Sequence, residues 1–306
     1  MYAPDIFFPN LNITLRNVPR VAFSIFGLNI YLYAVTIVIG IVAAYFLGIW
    51  WVKKSGQKVA DYTDLLLIGV PMAIIGLRLY FIIFNWSNYS GQNFFRVFFN
   101  FRGGGLAIYG GIIGAALAGV IVSRWKKIPF ATMADTGAPS MLLGQVIGRW
   151  GNFFNREAFG GYTDGLFAMA IRADQIGGPV TEEIRENVVY AHGAYYFQVH
   201  PTFFYELFLN AILMVALIIY RPRKRFNGEI LLMYFFGYGV IRFFVEGFRT
   251  DQMMLFNTNI PLNQVTAVLF AVVSGALIVA GHVKARKSGV DSATAKNTNK
   301  KRRKKK

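Results

Sequence analysis

The chain has 306 residues, 55% hydrophobic and 16% aromatic, with only 15% charged. A soluble domain carries about 25% charged residues, so this inventory excludes a chain bounded by water on all sides. It contains no cysteine, which removes disulfides, thiolate nucleophiles and Cys-ligated metals together. Its three histidines, His192, His200 and His282, form no local metal-ligand pattern, so neither a metal nor another cofactor is expected. The net charge is +17. In a soluble protein that excess would point to nucleic acid. Here eleven of the basic residues lie between Lys284 and Lys306, so no nucleic-acid partner is expected. The tail 284–306 is expected to be disordered, solvated and cytoplasmic, with attraction to anionic lipid as the main alternative.

No cleavable signal peptide is expected from Met1 to Asn10, which lacks a basic n-region and an Ala-x-Ala site. A helix needs roughly 20 mostly apolar residues to cross a hydrocarbon core. Candidate spans are Ile30–Val52, Leu65–Phe84, Leu106–Ser123, Met133–Gly148, Phe203–Tyr220, Glu229–Phe248 and Pro261–Ala280. The fourth is short and polar, holding Asp135, Pro139 and Gln145, so six spans with a re-entrant segment is the other count. The fold class predicted is an all-α polytopic membrane protein of about seven transmembrane helices with a small external lobe.

Basic residues follow the first span (Lys53, Lys54, Lys58), the third (Arg124, Lys126, Lys127), the fifth (Arg221, Arg223, Lys224, Arg225) and the seventh. By the positive-inside rule these places share the cytoplasmic side, which puts the N-terminus outside and the C-terminus in the cytoplasm. The segment 149–201 then falls outside as a lobe within a membrane-embedded domain 1–283. Gly110/Gly114 and Gly144/Gly148 each form a Gly-x-x-x-Gly pair, a pattern that lets helices approach closely. Gly103-Gly104-Gly105 and Gly110-Gly111 are also places where backbone amides could approach a ligand.

Ionisable residues inside spans are costly and face a bundle interior or a water-filled cavity. Here they are Arg78, Asp135, Arg149, Glu206, Arg242 and Glu246. Tyr238, Arg242, Glu246 and Arg249 recur at steps of four, four and three, forming one polar stripe on a helix. Two readings are open: an ion pair that fixes helix register, or a site whose surplus arginines await an anionic ligand. The densest polar string is Gly148-Arg149-Trp150-Gly151-Asn152-Phe153-Phe154-Asn155-Arg156-Glu157, followed by Gly160-Gly161. Guanidinium groups bind phosphate oxygens in a bidentate fork, and an Asn amide both donates and accepts.

That string resembles the signature of the bacterial prolipoprotein diacylglyceryl transferase family. Further blocks match in the same order: Tyr33, Gly76-Leu77-Arg78-Leu79-Tyr80, Gly104 to Gly111, Asp135 with Ala138-Pro139, His200-Pro201-Thr202 through Tyr205-Glu206, and the stripe from Tyr238 to Arg249. The resemblance covers nearly the whole chain except the basic tail. It implies a plasma-membrane enzyme that moves the diacylglyceryl group of phosphatidylglycerol onto the lipobox cysteine of a prolipoprotein signal peptide and releases glycerol phosphate. The attacking sulfur belongs to the substrate, in agreement with an enzyme that has no cysteine.

For the site, the resemblance implies Arg149, Asn152, Glu157, Arg242, Glu246, Tyr33 and Tyr238 as catalytic residues. Arg149 and Arg242 would clamp the phosphate, Asn152 would position the head group, and Glu157 and Glu246 would orient the arginines. Tyr33 and Tyr238 would contact lipid or thiol. Substrate contacts extend to Arg249, Arg78, Tyr109, Gly104, Gly105, Gly160, His200 and Glu206. One departure concerns the general base: some family members place His where this chain has Tyr109. A tyrosine with an ordinary pKa of about 10 is poorly matched to neutral pH, so a histidine base is not carried over there. His200 as base, His200 as a cap of the fifth helix, and deprotonation by water all stay open. The rival readings are a transporter or channel for an anionic solute and a non-catalytic membrane scaffold.

Overall fold

The computed structural model describes residues 3–100, 104–255 and 258–287. Gly103 and the tail from 288 onward lie outside the described residues, so the expectation of a disordered tail is not addressed beyond Lys287. Among the described residues, six helices are long and apolar enough to cross a membrane: α1 (Leu32–Lys54), α2 (Val59–Phe84), α4 (Ile108–Trp125), α7 (Thr202–Tyr220), α8 (Glu229–Phe248) and α9 (Leu262–Lys287). A short α3 (Phe94–Phe99) precedes α4. The expected fourth span is part of a longer helix, α5 (Phe130–Asn155), 26 residues and about 39 Å at 1.5 Å per residue. It is long enough to cross but carries Asp135, Gln145, Arg149 and Asn152, too polar to count among the six by composition. The chain is a multi-pass membrane protein, as predicted. Apolar side chains such as Val38, Phe46, Leu67, Phe208, Ile212, Phe244 and Val272 stand exposed along the spans, where a lipid-facing surface needs them.

Contacts divide the chain into two compact units, Tyr45–Gly137 and a second made of Met1–Ala44 with Ala138–Lys306. In the former, α2 packs along α4. Their approach is set by glycine: a Cβ on Gly76 would collide with the Gly110 carbonyl, and one on Gly114 with the Met72 carbonyl. The Gly110/Gly114 pair therefore serves packing, as predicted. Val52, Tyr62, Val122 and Met133 form the core there, and Lys126 pairs with Asp64 at 2.5 Å and Asp61 at 3.7 Å. That hydrogen-bonded ion pair with Asp64 raises the Lys126 pKa.

The other unit holds α7, α8 and α9, together with the sheet of the lobe. α7 packs on α8 and α8 on α9. Gly239 permits the second contact, since a Cβ there would lie 2.6 Å from the Ala267 carbonyl. Of the Gly144/Gly148 pair only Gly144 faces a close neighbour: a Cβ on Gly40 would sit 3.0 Å from its carbonyl, whereas nothing lies within 4 Å of a Cβ on Gly148. Ala138, Leu142, Leu217, Ile230 and Tyr234 make a core between α5, α7 and α8.

The mostly helical fold with a small lobe is as expected, and the lobe itself carries strands. It contains a five-stranded antiparallel sheet in the order β2-β1-β5-β7-β6. The strands are β1 (Ile6–Phe8), β2 (Ile13–Leu15), β5 (Met169–Arg172), β6 (Val189–Ala191) and β7 (Ala194–Val199). A separate hairpin, β3 (Val21–Ile25) with β4 (Leu28–Tyr31), leads into α1. A one-turn helix α6 (Glu182–Glu186) begins at Thr181, whose hydroxyl accepts from the Ile184 N–H. Ile6, Phe153, Phe159, Met169, Ile171, Ile184, Val199 and Phe203 fill the core beneath the sheet. The N-terminal segment is thus part of the lobe, and the predicted lobe boundary at residue 149 falls inside α5. The first strands are three residues each, too short for an alternating pattern to show in sequence.

Candidate functional site

The polar residues of α5, α7 and α8 meet around one carboxylate. Glu206, 1% exposed, lies in the first turns of α7. Its Oε1 accepts from Nη2 of Arg149 near the end of α5, and its Oε2 accepts from Nη1 of Arg242 on α8 at 2.9 Å. Tyr238 donates its hydroxyl to Oε1 at 3.4 Å. One anion therefore holds two guanidiniums that would otherwise repel, and a buried ion that is paired and hydrogen-bonded meets the condition for burial.

The cluster extends outward along α8. Arg242 Nη2 stands 2.6 Å from Glu246 Oε2, one helical turn on. Glu246 is fully buried and its Oε1 accepts from Asn263 Nδ2 of α9 at 2.8 Å. Arg249 reaches Glu246 at 3.9 Å and forms a two-pronged pair with Asp251 at 2.8 and 2.7 Å. Burial alone would raise the pKa of Asp251, but the Arg249 hydrogen bond and charge bring it below the ordinary value. On the α5 side, Arg149 Nη1 donates to Asn152 Oδ1 at 3.2 Å, and Asn152 Nδ2 donates to Glu157 Oε1 at 3.1 Å. Tyr33 packs against the same segment: a Cβ on Gly151 would come within 2.7 Å of its ring.

These distances bring together Arg149, Asn152, Glu157, Glu206, Tyr238, Arg242, Glu246 and Arg249, with Tyr33 alongside. Two details differ from the sequence argument. Glu157 joins through Asn152, and the carboxylate shared by the two central arginines is Glu206. Counting Glu157, Glu206, Glu246 and Asp251, four acids outnumber the three arginines, so a surplus of positive charge is not what marks the site. What marks it is donor capacity. A guanidinium has five N–H groups, and the contacts of Arg149 and Arg242 leave donors on each.

The glycine-rich end of the signature is sewn to α7 and α8 by backbone bonds. Gly160 N–H donates to the His200 carbonyl at 2.8 Å, His200 N–H to the Gly161 carbonyl at 3.0 Å, and Gly161 N–H to the Phe248 carbonyl at 3.1 Å. A Cβ on Gly160 would stand 2.5 Å from the Phe248 oxygen and 2.9 Å from both His200 Cβ and Thr202 Cγ2. Only glycine fits. His200 is a joint of this seam: its ring meets the Tyr205 hydroxyl at 3.2 Å and lies against Phe248. Burial lowers its pKa. The residue at the N-cap of α7 is Pro201, with no side-chain cap, so His200 does not cap the helix by its side chain.

The second arginine of the signature, Arg156, turns into the lobe, where Nη2 donates to the Val18 carbonyl at 2.6 Å and pairs with Asp5 at 3.6 Å. In the unit Tyr45–Gly137, Arg78 is 2% exposed and donates to four carbonyls, Val97, Phe98, Gly104 and Gly105, at 2.5 to 3.2 Å. Its guanidinium closes the loop before α4. Gly104 and Gly105 take part through these carbonyls, and Tyr109 lies on the first turn of α4 beside Tyr80. Asn263, Asp251, Gln145 and Asn210 were missed in the sequence. Gln145 and Asn210 had a usable signal, each being four residues from a charged member of the cluster.

A family model described as prolipoprotein diacylglyceryl transferase matches residues 20–280. Among similar proteins, one named phosphatidylglycerol–prolipoprotein diacylglyceryl transferase from Clostridium novyi (strain NT) is 38% identical over 264 residues, covering 86% of this chain and 96% of the relative. Proteins of the same name from Clostridioides difficile (strain 630) and Bacillus cereus (strain G9842) are each 39% identical over 77% of this chain, covering 85% and 83% of their own lengths.

Proposed function

The chain belongs to the prolipoprotein diacylglyceryl transferase family, and on that ground we propose that it transfers the diacylglyceryl group of phosphatidylglycerol to the lipobox cysteine of a prolipoprotein signal peptide. This is the first step of bacterial lipoprotein maturation. The observation that carries the assignment of the site is the Arg149–Glu206–Arg242 bridge. In the reaction the substrate thiolate attacks the terminal carbon of the diacylglyceryl glycerol. The carbon–sulfur bond forms, the carbon–oxygen bond to phosphate breaks, and glycerol phosphate leaves with the bonding pair.

Negative charge gathers on the departing phosphate oxygen. Fixed donors aimed at developing charge in a dry site lower such a barrier without reorganisation. Arg149 and Arg242 supply those donors, and Glu206 holds the two guanidiniums in place before substrate arrives. Glu246 steadies Arg242 and, with Asp251, Arg249. Asn152, locked by Glu157, contacts the head group, and Tyr33 and Tyr238 border the lipid and thiol. Arg78, Gly104, Gly105 and Tyr109 are assigned as further substrate contacts, with Arg78 holding the Gly104 and Gly105 carbonyls. The proton leaves the thiol to water or to His200, whose lowered pKa keeps it neutral at pH 7.

The domain 1–283 carries this activity in the plasma membrane, with the lobe and N-terminus outside and the C-terminus in the cytoplasm. The relatives give the transporter reading no support. Purified protein incubated with phosphatidylglycerol and a lipobox peptide should yield the mass of the diacylglyceryl thioether, and a Cys→Ser peptide should yield none. Absence of the thioether from the cysteine peptide would refute the assignment.

A further inference from the structure

One helical turn beyond the bridging cluster, the bundle carries a second polar layer without charge. Gln145 lies four residues before Arg149 on α5, and Asn210 four residues after Glu206 on α7. Both shifts run the same way along the bundle and amount to about 6 Å. Tyr234 closes the layer from α8, its hydroxyl accepting from Gln145 Nε2 at 2.9 Å. Tyr234 also stacks on Tyr238, ring planes 7° apart, and so connects the two layers.

Asn210 is fully buried, yet neither its Nδ2 nor its Oδ1 has a hydrogen-bond partner among the described residues. The Oε1 of Gln145 is likewise shielded and unpartnered. Glu206 before it and Leu213 and Leu217 after it face the α5–α8 core, so Asn210 on the same stripe faces inward too. An unmade hydrogen bond at a buried amide costs about 1–3 kcal/mol. This layer thus holds three unpartnered polar atoms, one amide donor group and two carbonyl acceptors, with no charge among them.

We propose that Asn210 and Gln145 read the terminal glycerol of the phospholipid head group and so select phosphatidylglycerol over other anionic phospholipids. The proposal rests on the transferase reading above. A hydroxyl both donates and accepts, so a vicinal diol can satisfy the two carbonyls and take the amide N–H. An ammonium head group would find no carboxylate in this layer, and a bare phosphomonoester would leave all three atoms unpaired. The three-carbon arm of glycerol phosphate spans about one helical turn, the separation between the arginine layer that takes the phosphate and this one. A site built to hydrogen-bond a hydroxyl discriminates strongly against an analogue lacking it.

The test compares phosphatidylglycerol with phosphatidyl-1-propanol, which has the same phosphate charge and chain length but no head-group hydroxyl. The ratio of kcat/KM for the two lipids is measured on the intact protein with one lipobox peptide. The parent should prefer phosphatidylglycerol by at least about tenfold. In Asn210→Leu the ratio should collapse toward unity, chiefly through slower phosphatidylglycerol turnover. Gln145→Met, with a smaller volume change, gives the same reading if the leucine variant does not fold. A parent that uses both lipids equally, or variants that keep the parental ratio, overturn the proposal. A parent that lipidates with neither lipid overturns the transferase reading itself.

Discussion

Glu206 is nearly inaccessible and bonded to two arginines from different helices. Glu206→Gln keeps the shape and removes the charge, taking the carboxylate from Arg149 and leaving Arg242 with Glu246. Breaking a buried pair in this way costs about 3–5 kcal/mol. The thermal midpoint in detergent should fall and lipidation should drop with it; an unchanged midpoint and rate would show that the bridge holds nothing. Arg242→Lys keeps the charge but loses the planar fork, and thioether formation should slow about a hundredfold with little change in secondary structure. His200 offers a pH test. Its folded pKa is depressed, so the unfolded chain binds the proton first, and stability is lost as pH falls below about 6.5. His200→Gln should flatten the decline of the thermal midpoint between pH 7 and 5. At this scale the sequence displayed the charged groups because ions inside spans are rare, and it displayed the stripe because α8 is regular. It concealed that Glu206 is the hub and that Arg156 belongs to the lobe, since both depend on contacts tens of residues apart.

The spans were legible because hydrocarbon demands long apolar runs. Glu229–Phe248 is the same in sequence and structure. In sequence α5 shows only a short apolar span, because its polar residues mask its ends, whereas the helix runs from Phe130 to Asn155. The seam joining the signature to α7 and α8 gives a test at this level. Gly160→Ala must push against the Phe248 carbonyl and the His200 and Thr202 side chains. Overpacking of this kind costs about 1–3 kcal/mol, and since the seam positions α7 beside the signature, activity should fall at least about tenfold. Gly161→Ala meets only the Glu183 carboxylate, at 3.6 Å, and should be mild. Equal behaviour of the two variants, measured as lipidation rate, would remove the seam from the argument.

The absence of native cysteine makes the orientation of the whole molecule measurable. A single cysteine at exposed Tyr190 of the lobe should react with an impermeant maleimide added outside cells, while one at exposed Ser55, in the turn before α2, should react only after permeabilisation. The opposite pattern would invert the topology. The sheet of the lobe has a further consequence for how the molecule is made. β1 sits between β2 and β5, so Ile6 and Phe7 pair with Ile171 and Ala170. Ile6 and Phe7 must wait for partners made more than 160 positions later, after α1, α2, α4 and α5 have been made. Until then the leading segment has only its own hairpin with β2. The sheet therefore closes before α7, α8 and α9 complete the bundle, and β1 can pair with β5 only if the helices made between them return both segments to the same face of the bilayer.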